Sequence, residues 1–362
     1  MDNRLKLTIP AEEIESGAME QIEAALSLDF LKTLAIMPDV HAGYDLPVGG
    51  VALLDGHVWP GAVGVDIGCG MCHVTTSLTL KDIPVLSELS SRIEKLIPVG
   101  FAVHAKPTKQ FPKFPNASKY SAMRFAVNTK ASVQLSSLGG GNHFAEYGVN
   151  SQGFIGITIH SGSRGCGEMI GDFYMRQSVG PIPLDSDLAQ AYLVDMLWAQ
   201  DFALKNREGM MRRCLQAIGF DEDQTRKAME SMINENHNHA EVCKDGVLHR
   251  KGATPAEEGQ LGIIPANMRD GVWITRGLGN KEFLCSASHG AGRAMSRGEA
   301  RRNLDAEKFA ADMDGIYINS LDGKIDEAPD AYKDIKGVLA AQEEAGIIEL
   351  VDHFRPILVL KG

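Results

Sequence analysis

Apolar residues recur at three- and four-residue intervals over residues 188–217, where Tyr192, Met196, Ala199, Ala203 and Met210 share one stripe; this spacing predicts a single long helix. Asn206 falls on the same stripe, so the pattern puts it either in the core with its amide satisfied or facing a site. The same period predicts shorter helices over residues 18–26, 83–96, 221–232 and 331–345. Short apolar or alternating runs predict strands over 50–54, 73–77, 154–160, 272–275 and 356–360. Helical and strand patterns intermix without a regular βαβ rhythm, which points to an α+β fold, mixed sheets flanked by helices, over a doubly wound sheet. Residues 106–118, with Pro107, Pro112 and Pro115, form the best loop or lid candidate. With no internal repeat and no composition break, one large domain over 1–362 is expected.

A chain of 362 residues with 44% hydrophobic content can bury a sizeable core. No apolar run approaches the roughly 20 residues that span a bilayer, and Met1-Asp2-Asn3-Arg4 opens no signal-like segment. The six cysteines, at 69, 72, 166, 214, 243 and 285, lack disulfide-like regularity. A soluble, cytoplasmic protein without membrane partners is the expectation.

The net charge of −11 argues at first against a polyanionic partner. Its distribution changes the picture. Between Glu94 and Glu146 there is no acidic residue, while Lys95, Lys106, Lys109, Lys113, Lys119, Arg124 and Lys130 are interleaved with Phe111, Phe114 and Tyr120. Cations alternating with aromatic rings suit a groove for single-stranded nucleic acid; a solvated Pro/Lys-rich loop accounts for the same composition. Further basic groups stand at Lys205, Arg207, Arg212 and Arg213, and at Arg293, Arg297, Arg301 and Arg302.

Candidate chemistry centres on Ser286-Ala287-Ser288-His289-Gly290-Ala291-Gly292-Arg293. Small residues around His289 leave the imidazole room to meet a ligand, the glycines let backbone come close, and Arg293 offers a fork for phosphate. Similar polar clusters recur at Pro38-Asp39-Val40-His41, Val65-Asp66-Ile67-Gly68-Cys69-Gly70, Gly140-Gly141-Asn142-His143-Phe144, His160-Ser161-Gly162-Ser163-Arg164-Gly165 and Asn236-His237-Asn238-His239. Pooled, they supply the Asp, Cys and His donors that bind borderline transition metals, assembled from distant segments. Cys69-Gly-Met-Cys72 has no second pair to make a zinc ribbon, and Gly139-Gly140-Gly141 is followed by no Lys-Ser/Thr, which excludes a P-loop.

Taken together and in order, these segments resemble the RtcB-type RNA-splicing ligases. The resemblance extends through Arg276-Gly277-Leu278-Gly279-Asn280, Met295-Ser296-Arg297, Asp326-Glu327-Ala328-Pro329, Ala331-Tyr332-Lys333-Asp334-Ile335 and Lys361-Gly362. It implies one RtcB-like domain whose mixed sheets surround a dinuclear metal cleft. The cofactors implied are two Mn²⁺ ions, one held by Asp66, Cys69 and His143, the other by Cys69, His160 and His237, with Cys69 bridging. It implies that His289 attacks the α-phosphorus of GTP. The guanylate-binding positions implied are Asn142, His143, Glu146, His237, Asn238, Pro265, Asn267, Met268, His289, Gly290, Ala291, Gly292, Tyr332 and Lys361, while Arg164, Arg293 and Arg297 hold phosphates of nucleotide or RNA. The activity implied is GTP-dependent joining of RNA 3′-phosphate or 2′,3′-cyclic phosphate ends to 5′-hydroxyl ends, in RNA repair or splicing, with room for an activating helper protein.

The chain departs from the family's pattern in places. It is shorter, the connection between Tyr174 and Tyr192 is trimmed, and Ala42-Gly43-Tyr44-Asp45-Leu46-Pro47 replaces a glycine-rich run. Asn267 and Val272 stand where serines are usual; losing a base-edge partner costs about 1–3 kcal/mol and would loosen guanine selection. Two other readings use the same residues: a metal-dependent phosphoesterase acting on RNA ends without ligation, and a non-catalytic RNA-binding protein.

Overall fold

The computed structural model describes residues 2–114 and 121–362, with side chains from 123 in the second span. Lys119, Tyr120 and the last residues of the proline-rich segment, 115–118, lie outside the described residues. The architecture is mixed α and β, as the intermixed patterns predict. The described residues form a five-stranded sheet, an eight-stranded sheet, two small two-stranded sheets and ten α-helices. No helix among them is long and apolar enough to cross a membrane.

The smaller main sheet runs Leu5–Leu7, Leu31–His41, Val48–Leu54, Gly246–Lys251, Asn238–Cys243. The larger runs Leu261–Pro265, Val272–Gly277, Ile348–Lys361, Phe144–Val149, Ile155–Ser161, Gly70–Thr75, Ile233–Asn236, with Tyr317–Ile318 beside Ile348–Lys361. One residue, His237, separates Ile233–Asn236 of the large sheet from Asn238–Cys243 of the small one, so the two sheets meet at a metal-ligand candidate.

Antiparallel register then does the assembling. Gly70 pairs with both Ser161 and Asn236, Phe144 with His160, and Lys361 with Phe144. Residues far apart in sequence therefore lie in two adjacent rows at one end of the large sheet. Cys69 and His143 immediately precede these rows, and His160 lies in one of them.

The 31-residue helix Asp187–Ala217 realises the long periodic stripe, started by Ser186, whose hydroxyl accepts from Ala189 N–H. It packs beside helix Leu86–Leu96 on a core of Val74, Tyr147, Ile157, Ile159, Met210 and Leu358. Of the two readings of Asn206, the core one holds: it is fully buried, and its amide bonds Ser137 N and O, Ser161 Oγ and Gly162 O. The helix predicted at 221–232 is Glu222–Met229, closed by a capping box between Asp221 and Gln224. The one predicted at 331–345 begins later, at Ile335, because Asp334 caps it and Pro329 starts a separate 3₁₀ turn.

Candidate active site

Five side chains converge at the end of these rows. Cys69 Sγ lies 3.5 Å from His143 Nε2 and 3.2 Å from His160 Nε2; His160 Nε2 lies 3.3 Å from His237 Nε2, and His143 Nε2 lies 3.1 Å from Asp66 Oδ2. They form two overlapping groups, Asp66–Cys69–His143 and Cys69–His160–His237, each with its ligand atoms within 4.8 Å of one another. Backbone bonds pin the contributing loops together: His237 N–H donates to Cys69 O at 2.7 Å, and Gly68 N–H to Asn238 O at 2.8 Å.

The electrostatics prepare these groups for cations. His143 Nδ1 faces Leu138 O at 3.1 Å and His160 Nδ1 faces Asn142 O at 3.3 Å. A carbonyl can only accept, so each Nδ1 carries a proton, and Nε2 is the nitrogen turned inward, where it would meet a cation. Burial drives His160 and His237 well below the ordinary imidazole range, which keeps them neutral. Burial pushes the Asp66 carboxyl up, but the adjoining His143 and Arg164 outweigh it and hold the group at about 2. Burial and the Asp66 charge raise the Cys69 thiol well above its usual value, so a cation binding there would displace a proton. A carboxylate, a thiol able to bridge and three imidazoles that converge through Nε2 fit a pair of borderline dications.

Arg207, which sequence alone groups with surface basic residues, is fully buried behind this cluster. Its guanidinium donates to Gly68 O, Ser161 O, Asn234 Oδ1 and Asn236 Oδ1 at 2.7–3.0 Å. Each acceptor is within three residues of a ligand (Cys69, His160 or His237), so one rigid fork fixes three ligand-bearing segments. The only hint in the sequence is a cation next to Asn206 on a largely apolar helix.

His289 closes the other side, its ring 4.8 Å from that of His237. Its Nδ1 lies 2.7 Å from Asp39 Oδ2, and Asp39 Oδ1 accepts from Ser288 Oγ at 3.0 Å. Asp39 is wholly buried in strand Leu31–His41. Acting through His289, it is a positioning residue: with Nδ1 donating to the carboxylate, the Nε2 lone pair is left free. The sequence placed Asp39 only among the pooled metal-donor clusters; a lone acid within an apolar strand is the signal that marks its role beside His289. Gly292, at φ +75°, is required here, since a Cβ would stand 2.2 Å from Asp39 O.

In front of His289 opens a pocket whose walls come from several distant segments of the chain. Of the residues expected to bind guanylate, Asn142, Glu146, Pro265, Asn267, Met268, His289, Gly290, Ala291, Gly292, Tyr332 and Lys361 line it. His143, His237 and Asn238 do not; the first two belong to the ligand groups, and Asn238 is used structurally, accepting from Gly252 N–H and donating to Asp66 O. Asn267 borders the cavity, but its amide is bound within its own turn to Arg269 N, Asp270 N and Asp270 Oδ2. Val272 is buried in the sheet core.

Glu146 sits in the cavity wall, buried, with Oε1 unpartnered among the described residues; burial pushes its carboxyl well up, against the pull of Lys361. Lys361 and Tyr332 both bond Glu327 Oε2, each at 2.5 Å. Arg297 pairs with Asp326 and Glu327 at 2.7 Å, and Arg293 bonds Asp326 O and Met295 O. Arg293 and Arg297 line the cavity with part of their charge already met by protein carboxylates, whereas Arg164 lies apart, on the Asp66–His143 side.

Comparison with known proteins identifies the family. Residues 21–362 match the family described as tRNA-splicing ligase RtcB. The RNA-splicing ligase RtcB of Escherichia coli K12 is 34% identical over 99% of this chain and 97% of its own length. The RNA-splicing ligase RtcB2 of another Escherichia coli strain is 31% identical, covering 96% and 93%. The tRNA-splicing ligase RtcB of Thermococcus kodakarensis is 30% identical, covering 90% and 87%. The chain belongs to the RtcB family of RNA-splicing ligases.

Proposed function

We propose that this chain, acting as one domain, is a GTP-dependent RNA ligase that joins 3′-phosphate or 2′,3′-cyclic phosphate ends to 5′-hydroxyl ends through guanylate carried on His289. The observation that carries the reading is the buried Asp39 carboxylate on His289 Nδ1, which leaves Nε2 as the nucleophilic nitrogen beside a pocket lined by most of the guanylate-binding candidates. In the first step Nε2 bonds the α-phosphorus of GTP as the bond to pyrophosphate breaks. The guanylate then passes to an oxygen of the RNA 3′-phosphate and frees the imidazole. Finally the 5′-hydroxyl attacks that phosphorus, a phosphodiester forms and GMP leaves; a cyclic phosphate is first opened by water.

Two Mn²⁺ ions would be held by Asp66, Cys69 and His143 and by Cys69, His160 and His237, and when bound they would neutralise phosphate charge as each phosphorus becomes five-coordinate. The protein supplies the rest. Glu146, with its open oxygen, is suited to the N–H edge of guanine, and Lys361 and Tyr332 shape the far wall. Asn267 is spent within its own turn, so Glu146 carries more of the base selection. Arg164, Arg293 and Arg297 lie where phosphate oxygens would need donors.

Intact-mass measurement after incubation with GTP and Mn²⁺ tests the reading. One acid-labile guanylate per chain, absent from His289→Ala, is expected; a metal-loaded chain that takes none would overturn it.

A further inference from the structure

The ligand group has a second open side. A cleft lined by Asp66, Gly140, Gly141, His143, Arg164 and Phe101 shares no lining residue with the His289 cavity. Each space nonetheless touches the ligand group, through His160 on one side and through Asp66 and His143 on the other. Resting on the ligase reading above, we propose that this second cleft receives the RNA strand bearing the 5′-hydroxyl, and that Phe101 is the platform on which its terminal base stacks.

In-line displacement at phosphorus puts the attacking and leaving oxygens on opposite sides. If GMP departs into the His289 cavity, the attacking hydroxyl must arrive from the other side of the phosphorus, and this cleft reaches the ligand group through different residues from that cavity. Phe101 stands at its mouth with 106% relative exposure, so nothing in the protein covers the ring. The backbone that carries the ring is nevertheless fixed. It sits in a turn closed by Ala102 N–H to Val99 O, and the adjoining Gly100 N–H donates to Gly139 O. A bare aromatic face on a fixed turn beside a polar cleft is suited to a base, whose stacking tolerates any sequence.

The charges agree with a strand that ends in a hydroxyl. Arg164 Nε is buried and has no hydrogen-bond partner among the described residues. Its Nη1 lies 3.2 Å from His143 Nδ1, a nitrogen already donating to Leu138 O, so that contact supplies no acceptor and a backbone phosphate could provide one, with the Arg164 charge shared with Asp66. Arg164 also adopts φ +57°, a strained conformation for a non-glycine residue, of the kind that clusters at functional sites. Lys130 reaches Gly165 beside it. The exposed Glu168 carboxylate at the lip would repel a phosphate on the terminal nucleotide and tolerate a hydroxyl.

The test uses the full chain with Mn²⁺ and GTP and a 5′-hydroxyl RNA oligonucleotide whose first base is 2-aminopurine. Wild type should quench that base on binding; Phe101→Ala should lose the quench and Phe101→Trp keep it. KM for this strand should rise on the order of tenfold in Phe101→Ala, with kcat and guanylate uptake from GTP unchanged. Phe125→Ala, which removes an exposed ring outside the cleft, should change none of these. Unaltered quench and KM in Phe101→Ala would overturn the platform, as would a parallel loss of guanylate uptake, which would place the ring's effect on the nucleotide or the fold. A wild-type chain that takes guanylate but shows no quench overturns the platform alone; one that takes no guanylate overturns the ligase reading beneath it.

Discussion

Around Cys69, nearly every polar atom that is not a ligand is already bonded to protein: Arg207 to two carbonyls and two amides, His143 and His160 to carbonyls, Asn238 to two backbone groups. Across His160, in the His289 cavity, Glu146 Oε1 and Arg293 Nη1 are buried without a hydrogen-bond partner among the described residues. The first region is a frame that exists before its ligands arrive. The second holds groups at a desolvation cost that a ligand would offset. The difference separates residues that position from residues that recognise, and substitutions in the two regions should fail differently.

The largest effect is expected at the hinge between them. Asp39→Asn keeps the shape but can favour the wrong imidazole tautomer, and should slow guanylate uptake by roughly a thousandfold with GTP binding nearly unchanged; equal losses in both would make Asp39 a mere support of the cavity. Next, Arg207→Met should weaken Mn²⁺ binding by about 10–100-fold, read by calorimetry, and lower unfolding stability by about 2–4 kcal/mol as buried acceptors lose their donor. A fall in stability with Mn²⁺ affinity intact would show that the frame does not depend on that fork. Glu146→Gln should reduce GTP affinity about tenfold while leaving the ligand-free fold as stable or more so. If it destabilises the ligand-free protein, the carboxylate is structural and the contrast between the regions dissolves.

The smallest effect belongs to the scaffold. His249 Nε2 accepts Trp59 N–H at 2.8 Å, and burial lowers the imidazole to about 4; burial alone takes His73 to about 3. Both are neutral in the fold, whereas the unfolded chain takes up protons below about 6.5. Their stabilisation is therefore complete above that pH and is lost progressively as pH falls towards 4 and then 3. Between pH 7 and 6 the loss is under about 1 kcal/mol per group. Denaturant melts across pH should show the slope, and His249→Gln should flatten it.

Periodic segments were legible before the fold was known, and contacts across the sheet were not. The helix Asp187–Ala217 follows from its stripe. Helix Arg164–Gln177 was not predicted, its period being diluted by Gly165, Gly167 and Gly171; at Gly171 the missing side chain admits the Gly64 backbone, since a Cβ would lie 2.9 Å from Gly64 O. Only 356–360 of strand Ile348–Lys361 was read, since register shifts near Thr275 and Leu358 interrupt its alternation and leave Leu350 and Val351 exposed. Helix Ser121–Gln134 lies in a stretch read for its charge rather than its period. The candidate ligands were named by motif, but Asp39 meets His289 across 250 residues and Arg207 meets Gly68 across 139. No local spacing encodes such contacts; only strand register brings them together.

The account stands on which nitrogen of His289 is free. Phosphorus and nitrogen NMR of wild-type protein loaded with Mn²⁺, treated with GTP and then stripped of metal, resolves the point of attachment directly. Guanylate bonded to Nε2, with Nδ1 still protonated against Asp39, is the predicted result; guanylate on Nδ1, or on any residue other than His289, would contradict it.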